Sequence, residues 1–582
     1  MRSALLALAA LSFTPSISMA QVPAHQAIPA NQPIISDWAR QQPALAPHAM
    51  VATQDATATR IGVDILKRGG NAVDAAVAVG YALAVTLPRA GNVGGGGFML
   101  VHLKSQNKTI AIDYRETAPA SATKDMFLDA KGDADPKKSR DSGLAVGVPG
   151  TVAGLTLALE KYGSGKFKLA ELIGPAIALA ENGIIVDEDL ADSLPLARNR
   201  LAAWPSSAKI FLKPDGAPLV RGDRLVQADL ARTLSTIAAK GVKGFYEGPV
   251  AEKIVAAVNG AGGNMSLTDL ATYKVFEREP VRGTYRGFEI ISMPPPSSGG
   301  IHIIQILNML EGYKLSEMGA QSADTLHVMT EAMKPAYADR SEYLGDPGFL
   351  QVPVKQLLSK KYAEARRAEI SMEKARPARD VKPGNLAPYE SDQTTHYSII
   401  DADGNAVANT YTLNFSYGLG LVAEGTGVLL NNELDDFAAK AGVPNGFGLI
   451  GGDANAPGPG KRPLSSMSPT IVMKDGQVYL VTGSPGGSRI ITTVLQVISN
   501  IIDHGMNVQE AVSAPRIHHQ WLPDELRTER GFSIDTIRIL ESRGHKVVIA
   551  PVSGSAQTIM MTPRGPAGAA DTRQRGTLAS GY

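Results

Sequence analysis

The chain has 582 residues, with 57 Lys plus Arg against 56 Asp plus Glu, 44% hydrophobic residues and no cysteine. That length can bury a full hydrophobic core, and the absence of thiols excludes disulfides, thiolate metal sites, iron-sulfur clusters and a cysteine nucleophile. Balanced charge gives no electrostatic reason to expect nucleic acid or an anionic membrane surface, so a small polar ligand is the expected partner.

The first twenty residues carry Arg2, an apolar run from Ala4 to Phe13, and the small-x-small triplet Ser18-Met19-Ala20. This pattern reads as a secretory signal peptide and predicts export, with a bacterial periplasm or the medium as the destination. Residues 21 to 48 are rich in Pro, Ala and Gln without periodicity, which predicts a poorly ordered mature N-terminus. Two helices are expected over Val51 to Lys67 and Asn71 to Leu87, separated by Gly69-Gly70. The apolar stretch Ala75 to Leu87 spans 13 residues, short of the roughly 20 needed to cross a bilayer, and reads as a buried core helix.

Gly91 and the run Gly94 to Gly97 precede strand-like segments at Phe98 to Leu103 and Thr109 to Tyr114. Helical patterns dominate from about 150 to 375. Met372 to Gln393 then changes character, with Pro377, Pro383, Pro388 and many charges, and predicts an exposed connector. A hairpin follows, Thr394 to Ile400 and Ala406 to Leu413, around the turn residues Asp401 to Asn405. Further strands are expected at Gly427 to Leu430, Thr470 to Lys474, Val478 to Thr482, Lys546 to Ile549 and Gln557 to Met561. Helices are expected near Arg489 to Ile502 and Val508 to Ser513. Strand groups flanked by long helices imply layered α/β sheets.

Several motifs resolve to ordinary packing. Gly94 to Gly97 lies between helix and strand, whereas a phosphate cradle leads from strand into helix, so close backbone approach is the expected role. Asp401 to Asn405 resembles the start of a calcium loop, but Ala406 and Thr412 stand where an EF-hand needs Gly and Glu; it is a turn. His518 and His519 are adjacent and must point to different sides, which favours packed or hydrogen-bonded roles over a metal site. The sequence has no Gly-x-Ser-x-Gly elbow.

What remains is Gln393-Thr394-Thr395-His396, where the connector meets the hairpin. A strand starting with two threonines is common, and that alternative stays open on the residues alone. A threonine hydroxyl becomes a useful nucleophile when a base sits beside it, and an N-terminal residue supplies one in its own α-amine, with pKa around 7.7 to 8. Cutting the Gln393-Thr394 bond at an exposed connector would create such a residue.

These residues, with Asn431 to Phe437, Arg462 to Thr470, Gly483 to Arg489, Gly69 to Ala76, Asp113 to Glu116 and the triple proline Pro294 to Pro296, resemble the γ-glutamyltransferase (glutathione hydrolase) family over about Ala52 to Tyr582. The resemblance implies an N-terminal-nucleophile hydrolase, an αββα sandwich assembled from two autoproteolytic subunits. Residues 21 to 393 would form the large subunit and residues 394 to 582 the small catalytic one. It implies Thr394 as nucleophile, autocleavage between Gln393 and Thr394, Thr412 orienting the hydroxyl, and the amides of Gly486 and Gly487 as oxyanion hole. Arg115, assisted by Ser465 and Ser466, would hold the α-carboxylate of a γ-glutamyl group; Asn414, Glu433 and Asp436 would hold its α-ammonium. No metal or organic cofactor is implied. Substrates would be glutathione and other γ-glutamyl amides, with water or the amine of an amino acid or peptide as acceptor. Several relatives carry Gln at the Glu433 position, and some bacterial members have Tyr where the lid segment Gly442 to Gly452 has Phe447, which predicts a latch lacking a hydroxyl hydrogen bond. Two alternatives stay beside this: a cephalosporin (glutaryl) acylase of the same superfamily, and a non-catalytic periplasmic protein that binds glutamyl compounds.

Overall fold

The computed structural model describes residues 41–384, 395–446, 448–450, 453–550 and 554–582. The signal-peptide reading of residues 1–20 and the assignments to Gln393, Thr394 and Phe447 lie outside the described residues. Two seven-stranded sheets, antiparallel in every pairing, form the centre. The first runs in the order Ala44–Leu45, Gly565–Ala570, Gln557–Thr562, Gln477–Thr482, Thr470–Lys474, Phe288–Ser292, Val281–Tyr285. The second runs Leu578–Gly581, Met50–Thr53, Thr395–Ile400, Ala406–Thr412, Gly96–Leu103, Lys108–Tyr114, Phe276–Arg278.

Strand periodicity sorts the second sheet's side chains into two cores, because successive residues face opposite ways. Met50, Ala52, Phe98, Leu100, Ile400, Ala406 and Ala408 join Ile471, Leu480 and Ile559 of the first sheet in the layer between them. Val51, Met99, Val101, Tyr397, Ile399, Val407 and Tyr411 instead pack against the helices Ala56–Lys67, Ala72–Thr86, Thr151–Tyr162 and Leu169–Asn182. Helices Gly299–Leu310, Ala323–Tyr343 and Arg489–Ile502 pack in the core of the first sheet. Strands buried on both faces explain why these segments read as nearly continuous apolar runs. The result is the four-layer αββα sandwich expected from the resemblance.

The helix Ala72–Thr86 is buried at every residue, as expected of a segment between layers, and starts with a capping box of Asn71 and Asp74. Among the described residues, no helix is long and apolar enough to cross a membrane. The glycine run is a packing device: a Cβ on Gly95 would stand 1.9 Å from the Thr412 carbonyl oxygen, and one on Gly97 would stand 2.5 Å from that of Thr410. The Asp401–Asn405 turn closes its hairpin, with Asp401 Oδ1 accepting from the amides of Asp403 (3.0 Å) and Asn405 (2.9 Å).

Four expectations need correction. Val51 to Lys67 is not one helix: Met50–Thr53 is a strand between Leu578–Gly581 and Thr395–Ile400, and the helix starts at Ala56 behind the N-cap Asp55. Sheet pairing at distant sequence positions overrides local helical spacing there. The predominantly helical region contains Phe276–Arg278, Val281–Tyr285 and Phe288–Ser292, which extend both sheets. Residues 21–48 include the short strand Ala44–Leu45, paired with Gly568 and Ala567. The connector is not exposed throughout: Ala375, Ala378 and Val381 are buried, the Trp521 indole donates to Ala378 O (2.8 Å) and Val381 O (3.0 Å), and Asp524 accepts from the Ala378 amide at 2.8 Å.

Candidate active site

Arg115 follows the strand Lys108–Tyr114 and is fully buried. Its backbone amide donates to Asp113 Oδ1 at 3.0 Å and its Nε to the Pro463 carbonyl at 3.0 Å. Nη1 pairs with Glu433 and Nη2 with Asp436, while Glu116 lies 3.8 Å from Nη1. One guanidinium therefore serves three carboxyl groups, each with a fully buried residue. Burial pushes the Glu116 carboxyl up to about 7, and it drives Glu433 well above the ordinary carboxylate range, in both cases against the pull of Arg115. The acids in turn raise the Arg115 guanidinium, overriding burial, with Glu433 the largest contributor.

The acids are placed by backbone geometry. Glu433–Asp436 is a 3-10 turn, and the preceding Asn431 bolts it to two distant loops. Asn431 Nδ2 donates to Gly94 O and Gly147 O, each at 2.8 Å, and its Oδ1 accepts from the amides of Gly147 (2.9 Å) and Glu433 (3.0 Å). Asn414 sits beside this turn with φ +74°, in the left-handed region that asparagine tolerates better than most residues. Its Nδ2 donates to Asn432 O at 2.9 Å and its amide to Thr412 Oγ1 at 2.8 Å.

Four buried acceptor atoms here receive no hydrogen bond: both oxygens of Glu116, the second oxygen of Glu433, and Oδ1 of Asn414. Buried acceptors are normally satisfied, and leaving one unmade costs about 1–3 kcal/mol. Such a set, with more acid than base, calls for a cationic donor with several N–H groups.

Ser465 and Ser466 follow directly on Pro463 and Leu464, whose carbonyls face the Arg115 fork. The Ser465 hydroxyl accepts from the Met467 amide (3.1 Å), and the Ser466 hydroxyl accepts from Arg340 Nη2 (2.7 Å). The structure thus gathers Arg115, Asn414, Glu433, Asp436, Ser465 and Ser466 into one neighbourhood. Glu116, quoted in the sequence motif but given no role there, belongs with them; its signal was adjacency to Arg115 at a strand end.

Thr412 ends the strand Ala406–Thr412, opposite Gly96, and its Oγ1 takes the Asn414 amide. Across the hairpin, Thr395 pairs with Tyr411 and its hydroxyl bonds Gln54 Oε1, a residue sequence reasoning passed over. Gly486 (φ +130°) and Gly487 (φ +69°) lie between the strand Gln477–Thr482 and the helix Arg489–Ile502. Their positive φ requires glycine, and the helix N-terminus brings partial positive charge to that loop. A cavity of about 520 Å³ touches Gln54, Thr412, Asn414 and Gly486 and is also lined by Arg89, Asp189 and Arg575. Arg115, Glu433 and Asp436 do not line it. The site therefore has a buried charged cluster and an open compartment, with Asn414 lining the second and bonding Asn432 beside the first.

The adjacent histidines are hydrogen-bonded to separate partners as expected: His518 Nδ1 pairs with the Thr492 hydroxyl (3.0 Å), and His519 Nε2 with Asp524 (3.2 Å). In the segment Gly442 to Gly452, a Cβ on Gly446 would stand 2.6 Å from the Phe415 ring, so Gly446 lies against Phe415.

The family model described as gamma-glutamyltranspeptidase matches residues 58–581. The chain is similar to the glutathione hydrolase proenzyme of Escherichia coli (strain K12), 58% identical over 541 residues, covering 93% of each chain. It is also similar to the solved structure of a cephalosporin acylase from Bacillus halodurans, with TM-score 0.83 and 30% identity, covering 95% of this chain and 99% of that one. The solved Helicobacter pylori gamma-glutamyltranspeptidase matches with TM-score 0.56 and 48% identity, over 60% of this chain and 97% of its own. The αββα layers, the family model over residues 58–581 and the identity over nearly the whole length lead to one conclusion: the chain belongs to the gamma-glutamyltranspeptidase family.

Proposed function

We propose that this protein is a self-processing glutathione hydrolase and γ-glutamyltransferase that works with Thr394 as nucleophile and is exported to the periplasm. The observation that carries the reading is the charge mismatch around Arg115, with its unmet acceptors on Glu116, Glu433 and Asn414. The α-ammonium of a glutamyl group supplies the missing positive charge and three N–H donors. Its α-carboxylate takes the Arg115 fork, with Ser465 and Ser466 beside it, so that the internal acids turn from the guanidinium toward the ammonium.

With the head group fixed, the γ-carbonyl is presented on the side of the cavity-lining Thr412 and Gly486. The Thr394 hydroxyl attacks while the α-amine freed by cleavage takes its proton, and the amides of Gly486 and Gly487 receive the developing oxyanion. Collapse expels the amine, which takes up the proton, and leaves a γ-glutamyl ester on Thr394. Water then yields glutamate, or an acceptor amine yields a new γ-glutamyl amide. In the precursor the same hydroxyl attacks the Gln393 carbonyl, the acyl group shifts from nitrogen to oxygen, and water releases it. Both sheets contain strands from before and from after the connector, paired with one another, so the two products remain one body after the cut.

A glutaryl acylase is disfavoured because a glutaryl group lacks the ammonium and would leave the acceptors of Glu116, Glu433 and Asn414 unpaired. Purified protein should give two bands, with the smaller beginning at Thr394 by N-terminal sequencing. Thr394→Ala should give one band and no release from γ-glutamyl-p-nitroanilide. Full activity from an uncut chain would refute the nucleophile, and faster turnover of the glutaryl than of the γ-glutamyl anilide would favour the acylase.

A further inference from the structure

The open compartment is lined by Thr412 and Gly486 but not by Arg115, Glu433 or Asp436, so it stands apart from the cluster at Arg115. On the function proposed above, which this inference depends on, the glutamyl head sits at that buried cluster. The rest of a donor, and any incoming acceptor, must then occupy the open compartment.

Three arginines line it, and two are committed to holding its walls. Arg89 makes a two-pronged pair with Asp189 (2.6 and 3.1 Å). Arg573 is filled by Glu529 (2.7 Å), Asp571 (3.1 Å) and the Ala514 and Val512 carbonyls (2.7 and 2.8 Å). Arg575 differs. Its side chain is 63% exposed, and its partner is Asp192, 69% exposed and 3.9 Å away. The loop that carries it is nonetheless fixed on both sides: Gln574 bonds Gln54, and Thr577 Oγ1 donates to Asp571 O at 3.0 Å. Gly576, with φ +81°, closes against Asp187, where a Cβ would meet Oδ2 at 2.9 Å. A guanidinium with an easily exchanged partner is thus held at the mouth of the compartment by a rigid loop.

We propose that Arg575 is a specificity-determining residue for the outer end of the substrate, receiving the terminal carboxylate of a peptide or amino-acid leaving group or acceptor by exchange from Asp192. Glutathione presents such a carboxylate on its glycine; an anilide does not.

The test compares wild type, Arg575→Gln and Arg575→Lys on two donors, glutathione and γ-glutamyl-p-nitroanilide, and two acceptors, glycylglycine and glycylglycine amide. An exposed pair of this kind is worth about two- to fivefold in an equilibrium constant. The ratio of kcat/KM for glutathione over anilide should fall about threefold in Arg575→Gln, through KM, and Arg575→Lys should restore most of it. The wild-type preference for glycylglycine over its amide should vanish in Arg575→Gln and shrink with added salt. Unchanged ratios in Arg575→Gln, or a wild type that treats the two acceptors alike, would overturn the assignment while leaving the proposed function standing. A wild type inert toward both donors would overturn both.

Discussion

Asp571 and Glu116 are both fully buried carboxyl groups near arginines, yet their surroundings push them in opposite directions. Asp571 Oδ2 accepts from Arg516 Nη2 (2.6 Å) and the Ala556 amide (2.9 Å), and Oδ1 accepts from the Arg573 amide (3.0 Å) and Nη1 (3.1 Å). Burial alone would raise this carboxyl, but the arginines, Arg516 first, hold it below the ordinary range. Glu116 is buried as deeply, receives no hydrogen bond, and shares Arg115 with two other acids. A network that only holds the fold satisfies its acceptors from within. A network that waits for a ligand keeps acceptors over.

The largest effect should come from breaking the satisfied network. Asp571→Ala leaves Arg516 and Arg573 buried without their shared carboxylate and should cost about 3–5 kcal/mol, read as a lowered denaturation midpoint. A change under 1 kcal/mol would mean that the two clusters do not differ in kind.

Glu116→Gln should do the reverse, sparing stability and raising the donor KM about tenfold, equivalent to about 1.4 kcal/mol. Its pH dependence sharpens the contrast. The Glu116 carboxyl lies at about 7 in the fold against an ordinary 4.5. Between those values the folded chain holds a proton that the unfolded chain has lost. Stability from this group is therefore full below 4.5 and declines as pH rises toward 7. A bound ammonium favours the ionised form, so the donor KM should fall as pH rises through about 7, with proton release seen by calorimetry in two buffers. Glu116→Gln should flatten both profiles; unaltered profiles would assign the titration elsewhere.

The smallest effect is expected for Glu433→Gln. The amide still accepts from an ammonium and no longer adds charge to an acid-rich pocket, so stability should hold or rise by up to about 1 kcal/mol. Donor KM should stay within about threefold; a larger rise would mean that Glu433 carries the ammonium almost alone.

Much of this was legible before any coordinates. The short apolar, β-branched runs at Thr470–Lys474 and Val478–Thr482, and the hairpin turn chemistry at Asp401–Asn405, predicted those strands because apolar runs and turn residues are local signals. Met50–Thr53 was missed because its partners, Thr395–Ile400 and Leu578–Gly581, lie far along the chain, whereas Val281–Tyr285 and Gly565–Ala570 pair with their neighbours Phe288–Ser292 and Gln557–Thr562 and were missed because Gly283 in the one, and Gly565, Pro566 and Gly568 in the other, interrupt the strand pattern. Arg115, Asn414, Glu433 and Asp436 entered through family resemblance; nothing in their spacing showed that they meet.

By itself, then, the sequence determined the available chemistry: hydroxyl, amine and carboxylate groups with no thiol, a threonine pair where a connector meets a hairpin, and apolar runs able to form buried sheets. Tertiary structure decided the electrostatics. Whether an acid is paired, stranded or pushed up to neutral pH depends on burial and on partners 318 and 321 residues away, as with Arg115, Glu433 and Asp436. Coulomb energy and desolvation are set by distance in space and depth below solvent, neither of which is written in the order of the residues.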